Sequence, residues 1–160
     1  MVQSVFSDGK GLVQSAGSGV TIQNSLSVTG QVGMTGAVSV QSTPLFGGGL
    51  SVGAQAVTAT GSNQGDAAAI SATGGAMVVV TGADNTKAVL LPSLASVGAG
   101  NIYFIQNSSG STLEVFPSTG DKVSPGSDNA AITVAANAML VCIAADATQW
   151  FGFEPTVVGA

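Results

Sequence analysis

A six-residue repeat constrains this chain more than any other feature of its sequence. From Val20 the residues divide into VTIQNS, LSVTGQ, VGMTGA, VSVQST, PLFGGG and LSVGAQ. The first position of each hexad is Val20, Leu26, Val32, Val38, Pro44 or Leu50, and the third is Ile22, Val28, Met34, Val40, Phe46 or Val52. The fifth is Asn24, Gly30, Gly36, Ser42, Gly48 or Ala54, small or turn-prone throughout. Apolar residues at i and i+2 put two side chains on the same face of a short strand. A turn residue at i+4 then bends the chain before the next pair.

Three arrangements satisfy this period. A single-chain β-helix uses about three hexads per triangular coil, so this run makes only two coils, whereas repeat arrays need at least about three units to bury a face. A series of hairpins in an ordinary sandwich reproduces part of the alternation. In the third, several chains share one core, each supplying short strands around a common axis. That arrangement accounts for the period together with the absence of any charge from Val20 to Gln41, because the outward face of each strand then also lies against protein. It makes the protein an intertwined homo-oligomer in which Val20, Ile22, Leu26, Val28, Val32, Met34, Val38 and Val40 form the shared interface.

Charge is scarce everywhere. Of 160 residues, 45% are hydrophobic but only 7% are charged, against about 25% in ordinary soluble domains. Lys10, Lys87 and Lys122 are the only basic residues, and the net charge is −5. Neutralising nucleic-acid phosphates takes clustered Lys and Arg, which this chain lacks, and it has no basic patch for an anionic membrane surface. The longest apolar run, AMLVCIAA at 138–145, falls far short of the roughly 20 residues of a spanning helix. The opening MVQSVFSDGKG has no basic segment followed by an apolar one, which predicts no signal peptide and synthesis in a cytoplasm. The 23 glycines and scarce aromatics exclude a core of large side chains. Disordered chains are rich in charge and poor in Val, Ile and Leu, the reverse of this composition. The expectation is an ordered all-β protein with thin, close-packed layers.

The domain organisation follows from shifts in this texture. Residues 1–19, with DGKG and SAGSG, read as an extended N-terminal arm. Residues 20–62 form the hexad-repeat β region, and the cluster TGSNQGD at 60–66 marks the boundary. Residues 63–160 form a C-terminal β domain, read as a short-strand β-sandwich or jelly-roll-like fold. Its expected strands are AMVVVT (76–81), KAVLL (87–91), NIYFIQ (101–106), TLEVF (112–116), AITV (131–134), AMLVCIA (138–144) and QWFGF (149–153). The NSSGS between the third and fourth reads as a hairpin. DAAAISATGGA is rich in alanine, but its double glycine and β-branched residues argue against a helix.

The inventory for chemistry is thin. Without histidine there is no His-based triad or general base, and most zinc sites are removed. Cys142, in LVCIA, reads as a small buried hydrophobe with nothing near it to stabilise a thiolate. Asp121 and Asp128 are the nearest acidic pair for a two-carboxylate hydrolase, and with Asn129 they are oxygen ligands for a hard cation. The loop GDKVSPGSDN lacks an ordered calcium-loop spacing, however, and reads as a solvated turn. GAG at 98–100 precedes a strand instead of a helix, which argues against a phosphate cradle. Trp150 reads as a plug at the end of a sheet. No catalytic, cofactor or metal site is expected.

From about Gly65 to Phe153 the order of elements resembles a known group. The carrying features are KAVLLP, then IYFIQNSSGS with its aromatic strand ending in Asn, then LEVFPSTGDKVSP, then ITVAANAMLVCIAADATQW and a short last strand. Most specific are Phe116-Pro117, Gly120-Asp121, and Trp150 after the last long strand. These features resemble the β domains at the C-terminal ends of tailed-bacteriophage head fibres and capsid decoration (cement) proteins. The resemblance implies a homotrimer displayed on the outer surface of a virion, made in the host cytoplasm, with the major capsid protein as partner and no catalytic residues. The expected function is decoration and stabilisation of the phage head. The alternative is a head or tail fibre domain that binds host-surface glycans.

Overall fold

The computed structural model describes residues 51–155 together with Ser27, Thr29, Val32 and Gly33. The chain divides into two compact units, Met1–Leu45 and Phe46–Ala160, and the strands described below belong to the second. The arm at 1–19 lies outside the described residues, as do Val20, Ile22, Leu26, Val28, Met34, Val38 and Val40. Val32 is described, and it is exposed.

The described part of the second unit is almost entirely β. Its strands are β1 (Ala54–Thr58), β2 (Ala68–Ala69), β3 (Met77–Thr81), β4 (Ala88–Leu90), β5 (Ile102–Asn107), β6 (Leu113–Phe116), β7 (Lys122–Ser124), β8 (Ile132–Val134), β9 (Met139–Ala144) and β10 (Gln149–Phe153). One helical turn, α1 (Leu94–Val97), lies between β4 and β5. Every strand expected in the C-terminal domain is present to within a residue or two at its ends.

Their pairing is the surprise. A six-stranded sheet runs β1-β3-β5-β9-β10-β7 and a four-stranded sheet runs β2-β4-β6-β8. Within the first, β1, β3 and β5 are parallel; within the second, β2, β4 and β6 are parallel. The chain passes four times from the large sheet to the small one, and the first three passages stack in parallel as solenoid-like coils of about 25 residues, inside the usual range for stacked repeats. The winding then stops. β8 adds antiparallel to β6 and β9 antiparallel to β5, β10 turns back on β9, and β7 pairs parallel to β10.

This topology corrects two expectations. NSSGS does not close a hairpin: β5 and β6 lie in different sheets, and the segment between them is an arch over the core. The two-layer character of a sandwich is present, but neighbouring strands come from successive coils, not from the antiparallel Greek-key order of a jelly roll. TGSNQGD, for its part, connects β1 to β2 inside the first coil, and β1 pairs with β3 in full register from Ala54–Met77 to Thr58–Thr81.

Polar side chains hold the arches. Between β3 and β4, Gly82 (φ 76°) and Asn85 (φ 72°) take left-handed conformations that turn the chain out of the large sheet. Asp84 closes this turn, accepting hydrogen bonds from the Thr86 hydroxyl at 2.8 Å and from the Thr86 and Lys87 N–H groups at 3.2 Å. Asn85 ties the arch to the next one, because its side-chain oxygen accepts both the N–H and the hydroxyl of Thr112 at 3.0 Å. In the third coil Asn107 is fully buried. Its amide donates to the carbonyls of Ser111, Val134 and Ala135, and its oxygen accepts the Ser109 N–H. A buried amide so fully satisfied fixes the arch without a desolvation penalty.

Between the sheets lies one continuous core. Val78, Val80, Ile105, Leu140 and Cys142 reach into it from the large sheet, and Val89, Leu113, Val115 and Val134 from the small one. Trp150 closes the core beside Tyr103, edge to face, with ring centroids 5.8 Å apart and planes at 83°.

Candidate functional site

Of the reactive groups singled out in the sequence, Cys142 and Asp121 are buried in the fold, Asn129 is bonded within its loop, and Asp128 is exposed. Cys142 is buried on β9, and that burial pushes its thiol up to about 12, so the nucleophilic thiolate does not form near neutrality. Asp121 is buried and its carboxylate accepts the Leu94 N–H at 3.0 Å. It thereby caps α1, whose own N-cap residue Ser93 makes no side-chain cap bond. Asn129 (φ 60°) accepts the Gly120 N–H at 2.8 Å and a Gln64 amide hydrogen at 3.2 Å. Its own N–H donates to the Asp121 carbonyl at 2.9 Å. Asp128 sits opposite Lys122 in an isolated antiparallel bridge. Residues 125–129 are exposed, as a solvated turn requires, while Asp121 at the start of the loop is buried and bonded internally. Among the described residues no group of three or more His, Cys, Asp or Glu is placed to hold a metal ion. No described helix is long and apolar enough to cross a membrane.

Trp150 is fully buried on β10, next to the edge strand β7, and its indole N–H has no hydrogen-bond partner among the described residues. It stacks its burial on Val123 and Ala144, its register neighbours on β7 and β9.

The feature that stands out is the outer face of the large sheet. Strand alternation sends Tyr103, Ile105 and Asn107 inward from β5, so Ile102, Phe104 and Gln106 point out. By the same alternation Met77 and Val79 point out from β3, Met139, Val141 and Ile143 from β9, and Phe151 and Phe153 from β10. The registers align these residues in rows across the strands. Ile102, Ile143 and Phe151 form one row, and Met77, Phe104, Val141 and Phe153 the next. A third joins Val79, Gln106 and Met139. Ile102 is 42% exposed, Phe151 50% and Phe153 49%. From β1 to β10 no outward position carries a charge. Lys122 on β7 and Glu154 just past β10 stand at the margin, where Glu154, Pro155, Gln106, Met139 and Asn137 line a shallow groove of about 470 Å³.

The outer face of the small sheet differs. There Glu114 stands between Ala88 and Thr133, and the Thr133 hydroxyl donates to its carboxylate at 2.9 Å. The small sheet's outer face thus carries the Glu114–Thr133 pair beside Leu90 and Phe116, whereas the large sheet's is an uncharged and mostly apolar plate, with Ile102, Phe151 and Phe153 exposed and Val141 buried. Exposed apolar areas above a few hundred Å² are uncommon on monomers and mark interaction surfaces.

The plate was readable in part. Runs such as MVVVT, IYFI and MLVCIA are apolar at successive positions, the sequence sign of a strand covered on both faces. Phe151 and Phe153 flank Gly152 in the same alternation. Comparisons with known proteins return no match: no family model fits the chain, no curated protein is similar to it, and no solved structure is similar to it.

Proposed function

We propose that this protein is a structural component of a virion: a homotrimeric decoration protein on the outer surface of a tailed-phage head, bound to the major capsid protein. The observation that carries this reading is the uncharged apolar plate on a molecule whose thiol and buried carboxylate are both tied into the fold. Such a surface is suited to assembly. The resemblance of residues 65–153 to capsid decoration and head-fibre domains supports the same reading, as does the hexad repeat at 20–55, whose period suits strands shared among chains.

The protein has little means of electrostatic attachment. Three basic and eight acidic residues offer few charge pairs to any partner, and surface pairs contribute about 0–1 kcal/mol each. Attachment to the shell therefore rests on apolar burial, shape and backbone hydrogen bonding. Adding the purified protein to phage heads stripped of it tests the reading. Saturable co-sedimentation in multiples of three chains per site is expected. Heads that take up none of it, while the protein remains folded, contradict the proposal.

A further inference from the structure

We infer that the groove at the margin of the six-stranded sheet receives an arginine side chain of a partner protein. This rests on the reading of the protein as one that attaches to another, and it gives that attachment a polar contact of stated chemistry. The groove lies where the end of β5 meets the start of β9, at the Gln106–Met139 pair, beside the segment that follows β10. Met139, Ala138 and Pro155 supply apolar lining, and Gln106, Asn137 and Glu154 supply polar groups. Its volume of about 470 Å³ falls within the range of about 300–1,000 Å³ typical of binding pockets.

The occupant follows from the polar atoms that the fold leaves unused. The Gln106 side-chain amide donates both of its hydrogens within the molecule, to the carbonyls of Asn107 at 3.2 Å and Asn137 at 3.1 Å. Only its acceptor oxygen remains. Glu154 accepts the Ala135 N–H at 3.2 Å through one carboxylate oxygen, and its other oxygen has no hydrogen-bond partner among the described residues. The Asn137 side chain makes no hydrogen bond among the described residues, so its amide is free to turn its oxygen to the groove. No described lysine balances Glu154. Lys87 pairs with Asp84 at 3.1 Å, and Lys122 stands opposite Gln149 at the other end of β10. The groove is thus a set of acceptors around a carboxylate, with apolar lining. It repels an anion, and a sugar hydroxyl finds acceptors there but no donor beyond the Asn137 amide. A guanidinium carries several N–H donors in a planar fork and no acceptor, and the arginine stem lies along apolar surface while the charge reaches a polar group. Arginine is also enriched at protein interfaces, where lysine is depleted. The net charge of −5 favours the approach of a cationic group. Such a contact orients a partner more than it adds affinity, in keeping with attachment carried by apolar burial.

Nuclear magnetic resonance on the full chain tests this, with N-acetylarginine methylamide as the probe and its norleucine counterpart and glucose as comparisons. Saturable shifts of the Gln106 and Asn137 side-chain amides and of the Met139 methyl are expected with the arginine derivative alone. Glu154 is exposed, and Glu154→Gln keeps an oxygen for the Ala135 N–H, so the fold is retained. The arginine derivative is expected to bind this variant at least threefold more weakly. Asn137→Gly preserves the left-handed backbone at φ 59° while removing the amide, and a second loss of binding is expected there. Shifts that fail to saturate, an equal response to the norleucine derivative or to glucose, or undiminished binding by Glu154→Gln overturns the inference. Uptake onto phage heads is read separately. Heads that take up none of the folded protein, while the arginine derivative still binds, contradict the shell as partner and leave the groove assigned.

Discussion

Gly152 shows how closely the core is packed at the level of one atom. It sits on β10 between Phe151 and Phe153, facing inward opposite Cys142. A Cβ built there lies 2.7 Å from Val123 Cγ1, with Leu140 and Ile132 methyls next nearest. Valine is stiff at χ1, so Val123 does not swing clear, and overpacking of this kind costs about 1–3 kcal/mol. Gly152→Ala is expected to lower the unfolding free energy by that amount, read in urea unfolding as a lower midpoint with an unchanged slope. Cys142 gives a second prediction at this scale. With its thiol pushed up to about 12 by burial, it is expected to resist iodoacetamide at pH 8 in the folded protein and to react fully in denaturant. Rapid labelling under native conditions contradicts its place in the core. Reading Cys142 as a core residue from LVCIA needed only its apolar neighbours. The role of Asp121 was not legible, because the N–H it caps lies on Leu94, far away in sequence.

The arches are where the sequence was most misleading. Gly, Asn, Asp and Ser end a strand in a hairpin and in an arch alike, since both need left-handed residues and side chains that bond the backbone. NSSGS therefore announced a reversal without saying whether β6 would lie beside β5 or across the core from it. Alternation reports which face a side chain takes, not which strand is its neighbour. The recurrence of an apolar strand ending in proline, AVLLP and then LEVFP about 25 residues later, was the available sign of coiling, and it is weak because only two coils carry it. Asn85 bridges successive arches, and Asn85→Ala removes two acceptor bonds to Thr112 as well as a residue tolerant of positive φ. A loss of about 1–2 kcal/mol is expected in thermal or urea unfolding. The Asp84 arch also makes a pH prediction. Its carboxyl is held down to about 2, chiefly by the Thr86 hydroxyl and then by Lys87. Because the folded value lies below the ordinary 3.8, the stabilisation is fully present above about pH 4 and is lost as pH falls through 2. Hydrogen exchange of the Thr86 and Lys87 amides is expected to accelerate over that window, beyond the intrinsic pH effect, and Asp84→Asn is expected to abolish the extra change.

At the scale of the whole molecule, the all-β class was legible from composition and alternation, and seven strands were placed by their residues alone. The coiled topology was not, nor was the contrast between the two outer faces, which depends on register. In the proposed role, a chain that is 7% charged attaches by burying apolar surface, and apolar burial is not screened by salt. Its occupancy on phage heads is accordingly expected to survive molar sodium chloride, and release by salt alone, with the oligomer intact, contradicts that mode of attachment. The proposed role is that of a protein that coats a capsid. Quantitative mass spectrometry of purified virions, referenced to the major capsid protein, tests it most directly. In that role this chain is expected in a fixed ratio to the shell protein, at hundreds of copies per particle. A few tens of copies or fewer, as expected of a fibre or tail component, contradicts it.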